Sequence, residues 1–320
     1  MRFAFIGTSH VHTPDYLAVC HDLPWVETVG IACVDEKTRR HLPHSPPEFD
    51  RQQDLPPHDI AVVLTDIRSH DDVCAQLTAP AVFVEKPLAL NGTQASSIAQ
   101  SLKLAGTRAD LGFFLRHSTA FKTFAEASLD ANLGDIRFAH LAFAHPGLLD
   151  GWLQRWPAHL SPDRMGGGAF ADLAIHLIDA ARVILGPIAA TSCDLDRTHS
   201  ASGACEQGFD TQGQATLVSD HGALIHVWAS AAAPRVMLSM HLVCEHGEVR
   251  LEGGRVLRRH REKEETVLHD GPMPTPADGF RASLVALRDG KAPIVDVDDA
   301  VRASRLMEKI LAKSDAPYIS

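Results

Sequence analysis

Apolar residues fall in short, nearly unbroken runs through the first third of the chain. Residues 2–6, 29–34, 59–64, 81–84 and 109–115 each read as a strand, because such runs between turn formers mark strands buried on both faces. Between them, 14–21, 69–77 and 93–104 carry apolar residues at helical spacing, and 42–57, rich in proline and histidine, reads as a loop. Strand alternating with helix predicts βαβ units, a parallel sheet and right-handed crossovers.

The pattern changes near residue 120. A helix over 120–131 stops before Gly134, and 136–144 alternates like a strand with one wet face. Gly166-Gly167-Gly168 opens a long helix, 169–185, closed by Gly186-Pro187. Then 214–219, 223–229, 236–244 and 248–251 alternate as strands. Tight turns at Asp220-His221-Gly222 and His246-Gly247 suit antiparallel neighbours. Two helices, 278–288 and 298–312, close the chain. The predicted fold is α/β: an N-terminal doubly wound parallel sheet over 1–118, and a C-terminal α+β domain over 119–320 with an open, mostly antiparallel sheet.

The bulk properties narrow the function. Forty acidic residues against thirty basic ones give a net charge of −10. The only basic block is the short 255–263, so neither nucleic acid nor an anionic membrane is the expected partner. Six cysteines (Cys20, Cys33, Cys74, Cys193, Cys205, Cys244) form no CxxC pair, as expected of reduced thiols in a cytoplasmic protein. Strand-like sequence begins at Arg2, so no signal peptide is expected, and no apolar run is long enough to span a membrane.

Two constellations carry chemistry. In Val84-Glu85-Lys86-Pro87 a buried strand ends at a carboxylate and an amine, and proline stops the ladder there. Ligands of open α/β sheets bind beyond the carboxyl ends of the strands, so Lys86 is a candidate for proton transfer. On the helix opened by the glycine run, Asp172 and His176 are i and i+4, hence on one face. A carboxylate beside an imidazole would orient the ring and favour its protonated form. The three glycines would leave room for a ligand or a second backbone.

The first turn, Gly7-Thr8-Ser9-His10-Val11-His12, is a dinucleotide-type turn in which only the first glycine stands. Ser9 and His12 replace the others, and Ser9 is small enough to let a phosphate approach. Asp35, after the second strand, is placed to accept from a ribose 2′-OH and to repel a 2′-phosphate, which favours NAD; Arg39 and Arg40 leave NADP open. His10 and His12 also read as the start of a metal site. Asp66, His70 and His176 do not converge with them at any coordination spacing, so no metal is expected and the histidines are assigned to cofactor contact.

Taken together, these residues resemble the Gfo/Idh/MocA oxidoreductases. The resemblance runs along the whole chain: the Gly7 turn, Asp35, 61–66 with His70, Glu85-Lys86-Pro87, Gly112 to Arg116, Leu133-Gly134-Asp135-Ile136, the run from Gly166 to Asp179, and 280–314. It implies an N-terminal Rossmann domain, a C-terminal substrate and oligomerisation domain, and NAD(P)-dependent redox chemistry on a sugar or polyol. It implies that Lys86 sits at the hydroxyl being oxidised, that Asp172 and His176 form the acid/base dyad, and that Glu85 lies near the nicotinamide. Thr65, Asp66 and His70 would line the cofactor crevice, and the Lys86-Pro87 bond would be cis. Arg116, His117 and Trp156, with Trp152 and His145, are candidates for a sugar pocket. A homodimer or homotetramer through the C-terminal sheet is expected. The other readings are a sugar lyase or glycosidase using NAD without net redox, a sugar- or nucleotide-sensing relative, and a metal hydrolase.

Overall fold

The computed structural model describes residues 1–43, 46–197 and 208–314, so Cys205 lies outside the described residues. Strands β1 (Arg2–Ile6), β2 (Glu27–Ala32), β3 (Glu48–Phe49), β4 (Ile60–Val63), β5 (Ala81–Val84) and β6 (Arg108–Leu111) form one sheet in the order β3-β2-β1-β4-β5-β6. Every pairing in it is parallel. The strand order reverses between β1 and β4, and this switch point is where open α/β sheets bind ligands. Every residue of β4 and β5 is buried, as strands covered on both faces must be.

The second sheet contains β7 (Ile136–Ala144), β8 (Ile188–Asp196), β9 (Gln212–Ser219), β10 (Leu224–Ser230), β11 (Met237–Cys244), β12 (Gly247–Glu252), β13 (Arg255–His260) and β14 (Thr266–Asp270). Its order is β14-β13-β12-β11-β7-β10-β9-β8, antiparallel except that β7 and β10 run parallel. One face packs on the helix Ala169–Leu185. On the other face His226, His140 and His241 lie side by side on β10, β7 and β11.

The helix Ala169–Leu185 owes its start to another segment. Its N-cap is Gly168, which has no side chain to offer, and the Asp210 carboxylate accepts from the Phe170 N–H at 2.7 Å instead. A Cβ at position 168 would stand 2.4 Å from that carboxylate. The room left by this glycine is therefore filled by the chain itself.

The C-terminal part returns to the first sheet. The helix Pro276–Arg288, capped by Thr275, sets Phe280, Leu284 and Leu287 among Phe3, Phe5, Tyr16 and Phe83. Tyr16 and Phe280 stack with centroids 4.1 Å apart. Burying one such aromatic stabilises by on the order of 1.5–3 kcal/mol. The helix Val297–Leu311 packs against both Gly92–Ala105 and Ala169–Leu185.

Several elements differ from expectation. The strand predicted over 109–115 ends at Leu111, and Phe114–His117 is a short helix. Gly112 marks the break, since a Cβ there would lie 2.6 Å from the Glu85 carboxylate. Strands β3, β8, β13 and β14 were not predicted. They are short, edge or polar segments whose composition does not alternate cleanly.

Candidate active site

The residues singled out at the strand ends and on the long helix do meet. Lys86 follows β5, is 3% exposed, and the peptide bond to Pro87 is cis. Its ammonium donates to the Asp172 carboxylate at 2.5 Å and to the main-chain oxygen of the same residue at 2.9 Å. Burial alone would raise the Asp172 carboxyl, but Lys86 foremost, then His159, outweigh it and hold it well below the usual range.

This corrects the expected pairing. Asp172 makes no hydrogen bond to His176 among the described residues; its carboxylate goes to Lys86. The His176 ring is buried edge-on to Phe114 (4.7 Å), and its Nδ1 has no hydrogen-bond partner. Burial and then Lys86 lower its pKa well below the ordinary value, the reverse of the protonated state expected from an Asp partner. His176 lies beside a charged pair, in surroundings that favour its neutral form.

A second cluster lies behind the first. Glu85 is fully buried, receives the Tyr16 hydroxyl on Oε1 and the Lys86 N–H on Oε2 at 2.8 Å, and titrates near 7 because burial penalises its charge. His10 Nε2 lies 3.8 Å from Glu85 Oε2 and has no hydrogen-bond partner. The half-buried His12 lies alongside, and its pKa is lowered to about 3, chiefly by burial and then by Lys86. Asp66, His70 and His176 were the partners weighed for this histidine pair; the structure brings Glu85 to it instead. Tyr16 and His159 carried no sequence signal, because each is set in place by packing between distant segments.

The frame at the switch point suits a dinucleotide. Gly7 has φ +83°, and a Cβ there would lie 2.4 Å from the Thr65 methyl, so the tight turn requires glycine. Asp35 accepts from the Lys37 N–H at 2.9 Å and from the Ser9 hydroxyl at 3.3 Å, while Thr8 bonds the Asp35 N–H at 2.8 Å. Thr65 Oγ1 is buried and unpartnered. His70 is buried, with Nδ1 within 3.0 Å of the Leu88 carbonyl oxygen. One feature departs from an open crevice. The Val11 N–H, a phosphate-facing position of such turns, donates to His159 Nε2 at 3.0 Å. Arg164 binds Asp66 at 2.6 Å nearby. Segment 146–165 thus lies across the turn.

The expected sugar-pocket residues are dispersed. Arg116 is committed to Asp299 (2.7 Å), Asp179 (3.4 Å) and the Ile294 carbonyl (3.1 Å), because the buried Asp179 and the half-buried Asp299 need a cation there. His117 lines a separate cleft of about 270 Å³ with Phe114, His269 and Met273. Trp156 and Trp152 line a cavity of about 450 Å³ with Val11, His12 and His41, which neither Lys86 nor His176 reaches. His145 stays close enough to Asp172 to feel its charge.

The architecture is thus a doubly wound nucleotide-type sheet joined to an open sheet, with Lys86, Asp172 and His176 at the junction. Residues 1–113 match the oxidoreductase family with an NAD-binding Rossmann fold, and 121–250 match the GFO/IDH/MocA C-terminal domain. The chain belongs to the Gfo/Idh/MocA oxidoreductase family, and its first domain is an NAD-binding Rossmann fold. It is 29% identical over 131 residues to the myo-inositol 2-dehydrogenase of Thermotoga maritima, a match covering 40% of this chain and only 36% of that protein. Among solved structures, a 3-ketoreductase from Actinomadura kijaniata in complex with NADP has a TM-score of 0.78 at 18% identity, covering 98% of both chains. Levoglucosan dehydrogenase, with NADH and levoglucosan, has a TM-score of 0.75 at 15% identity, covering 98% of this chain and 97% of that one. Likeness at these identities carries the fold alone.

Proposed function

We propose that the protein transfers hydride between a nicotinamide cofactor and a secondary alcohol carbon of a sugar, inositol or related polyol. The observation that carries this reading is the Lys86 ammonium held 2.5 Å from Asp172, one helical turn from a neutral His176. Gly7, Thr8, Ser9, His10, Val11, His12 and Asp35 would hold the pyrophosphate and ribose end, with Thr65, Asp66, His70 and Glu85 along the crevice. NAD is favoured because Asp35 would repel a 2′-phosphate. When bound, NAD(P) supplies the hydride acceptor or donor.

The chain's own groups supply the rest. An alcohol releases hydride only as its proton leaves. A neutral imidazole can take that proton, and general-base help of this kind is typically worth about 10²–10⁴-fold. Lys86, fixed by two bonds to Asp172, stabilises negative charge on the substrate oxygen without reorganising at the moment of reaction. The bare face of the second sheet is the surface proposed for a homodimer or homotetramer. None of the described helices is long and apolar enough to cross a membrane.

The test is steady-state kinetics across a polyol and sugar panel. Lys86→Ala and His176→Ala should each lower kcat by at least ~100-fold while dinucleotide affinity stays within about twofold. Near-normal turnover in both variants overturns the assignment.

A further inference from the structure

We infer that His10, His12 and Glu85 form a binding site for one divalent first-row transition-metal ion such as Zn²⁺ or Mn²⁺. One donor atom from each lies within 4.8 Å of the other two. Three points no farther apart than 4.8 Å share a centre about 2.8 Å or less from each, and modest side-chain adjustment brings that to the ~2.0–2.2 Å of metal–nitrogen and metal–oxygen bonds. Two imidazoles and one carboxylate suit transition ions rather than Ca²⁺ or Mg²⁺, which take oxygen donors.

The surroundings hold the donors as an outer shell would. Tyr16 and the Lys86 N–H fix the Glu85 carboxylate and leave Oε2 a further lone pair. His10 is 1% exposed, its Nε2 is unpartnered and directed at Glu85, and its carbonyl oxygen is tied to Thr13 at 2.7 Å. His159 packs edge-on against the ring at 4.7 Å. Binding through Nε2 places the ring proton on Nδ1 and gives up the long 3.3 Å contact from the His12 N–H. The nearby Lys86 charge is already matched by Asp172, so it opposes an incoming cation less. Three protein donors leave open positions for water or a substrate oxygen.

The experiment uses the untagged chain stripped with EDTA, with no dinucleotide or sugar present, so its outcome is independent of the redox reading. Titration with Zn²⁺ by calorimetry should show one ion per chain, and the Co²⁺ form should show visible d–d absorption. His12→Asn and Glu85→Gln should each weaken Zn²⁺ binding by at least ~10-fold. His12 is only half-buried, so His12→Asn, checked for an unchanged metal-free unfolding temperature, keeps the test sound if Glu85→Gln misfolds. Absence of binding, or wild-type affinity in a folded variant of either residue, overturns the site.

Discussion

The Lys86 ammonium is bonded twice to one residue, at 2.5 Å to the Asp172 carboxylate and at 2.9 Å to its main-chain oxygen. A single turn of the long helix therefore fixes both the charge and the direction of the lysine. The first sheet and the long helix must hold their relative position for that geometry to survive.

Replacing the acid should uncover the lysine. In Asp172→Asn the buried ammonium loses its counter-charge, and breaking a buried pair typically costs about 3–5 kcal/mol. Asp172 keeps some solvent contact, so the lower end is expected. Because the folded carboxyl is held below its unfolded range, its stabilisation is present above about pH 4 and lost as pH falls further. Unfolding midpoints of both proteins should converge in acid. A variant as stable as wild type at pH 7 would show the pair to be energetically idle.

Asp210 gives a slope of the opposite sign. Burial raises its carboxyl to about 6, so between its unfolded value and that point the folded state binds more protons, and stability falls as pH rises. Asp210→Asn should flatten this part of the stability curve. Asp210→Ala removes the borrowed cap and should cost about 1–2 kcal/mol. Denaturant titrations across pH 4–7 measure both effects.

The Val11 amide is contested. With His159 Nε2 accepting from it, a phosphate must displace the ring. His159→Ala should therefore bind NAD roughly 3–10-fold more tightly, the worth of about one hydrogen bond. Weaker binding by calorimetry would mean that the ring serves the nucleotide rather than excluding it.

The proposed preference for NAD rests on Asp35. Wild type should bind NAD over NADP by roughly tenfold or more, and Asp35→Ser should narrow that ratio by about tenfold, since it removes the repulsion of a 2′-phosphate. A thermal-shift comparison of both dinucleotides reads this directly; an unchanged ratio would release Asp35 from the role.

The parallel sheet was legible because buried strands such as 60–63 and 81–84 leave continuous apolar runs. Strand β8 was not: it is an outer strand of small and polar residues, mostly wet, and its pairing with β9 leaves little pattern. Lys86, Asp172 and His176 were legible as a group, but their bonding was not. Helical spacing says that Asp172 and His176 are neighbours; only the fold says that a long lysine reaches the carboxylate. Arg116 misled for the same reason, since nothing local announces Asp179 and Asp299 as its partners. Glu85 and His10 are far apart in the chain and meet because β1 and β5 both flank β4.

Phe3, Phe5 and Phe83 are covered by a helix that begins only at Pro276. A ribosome moving at ~5–20 residues per second would release that cover about 10–40 s after Phe83. For that interval the nascent chain carries an aromatic patch only partly covered by Tyr16, Leu17 and Trp25, which exposes the growing polypeptide to aggregation.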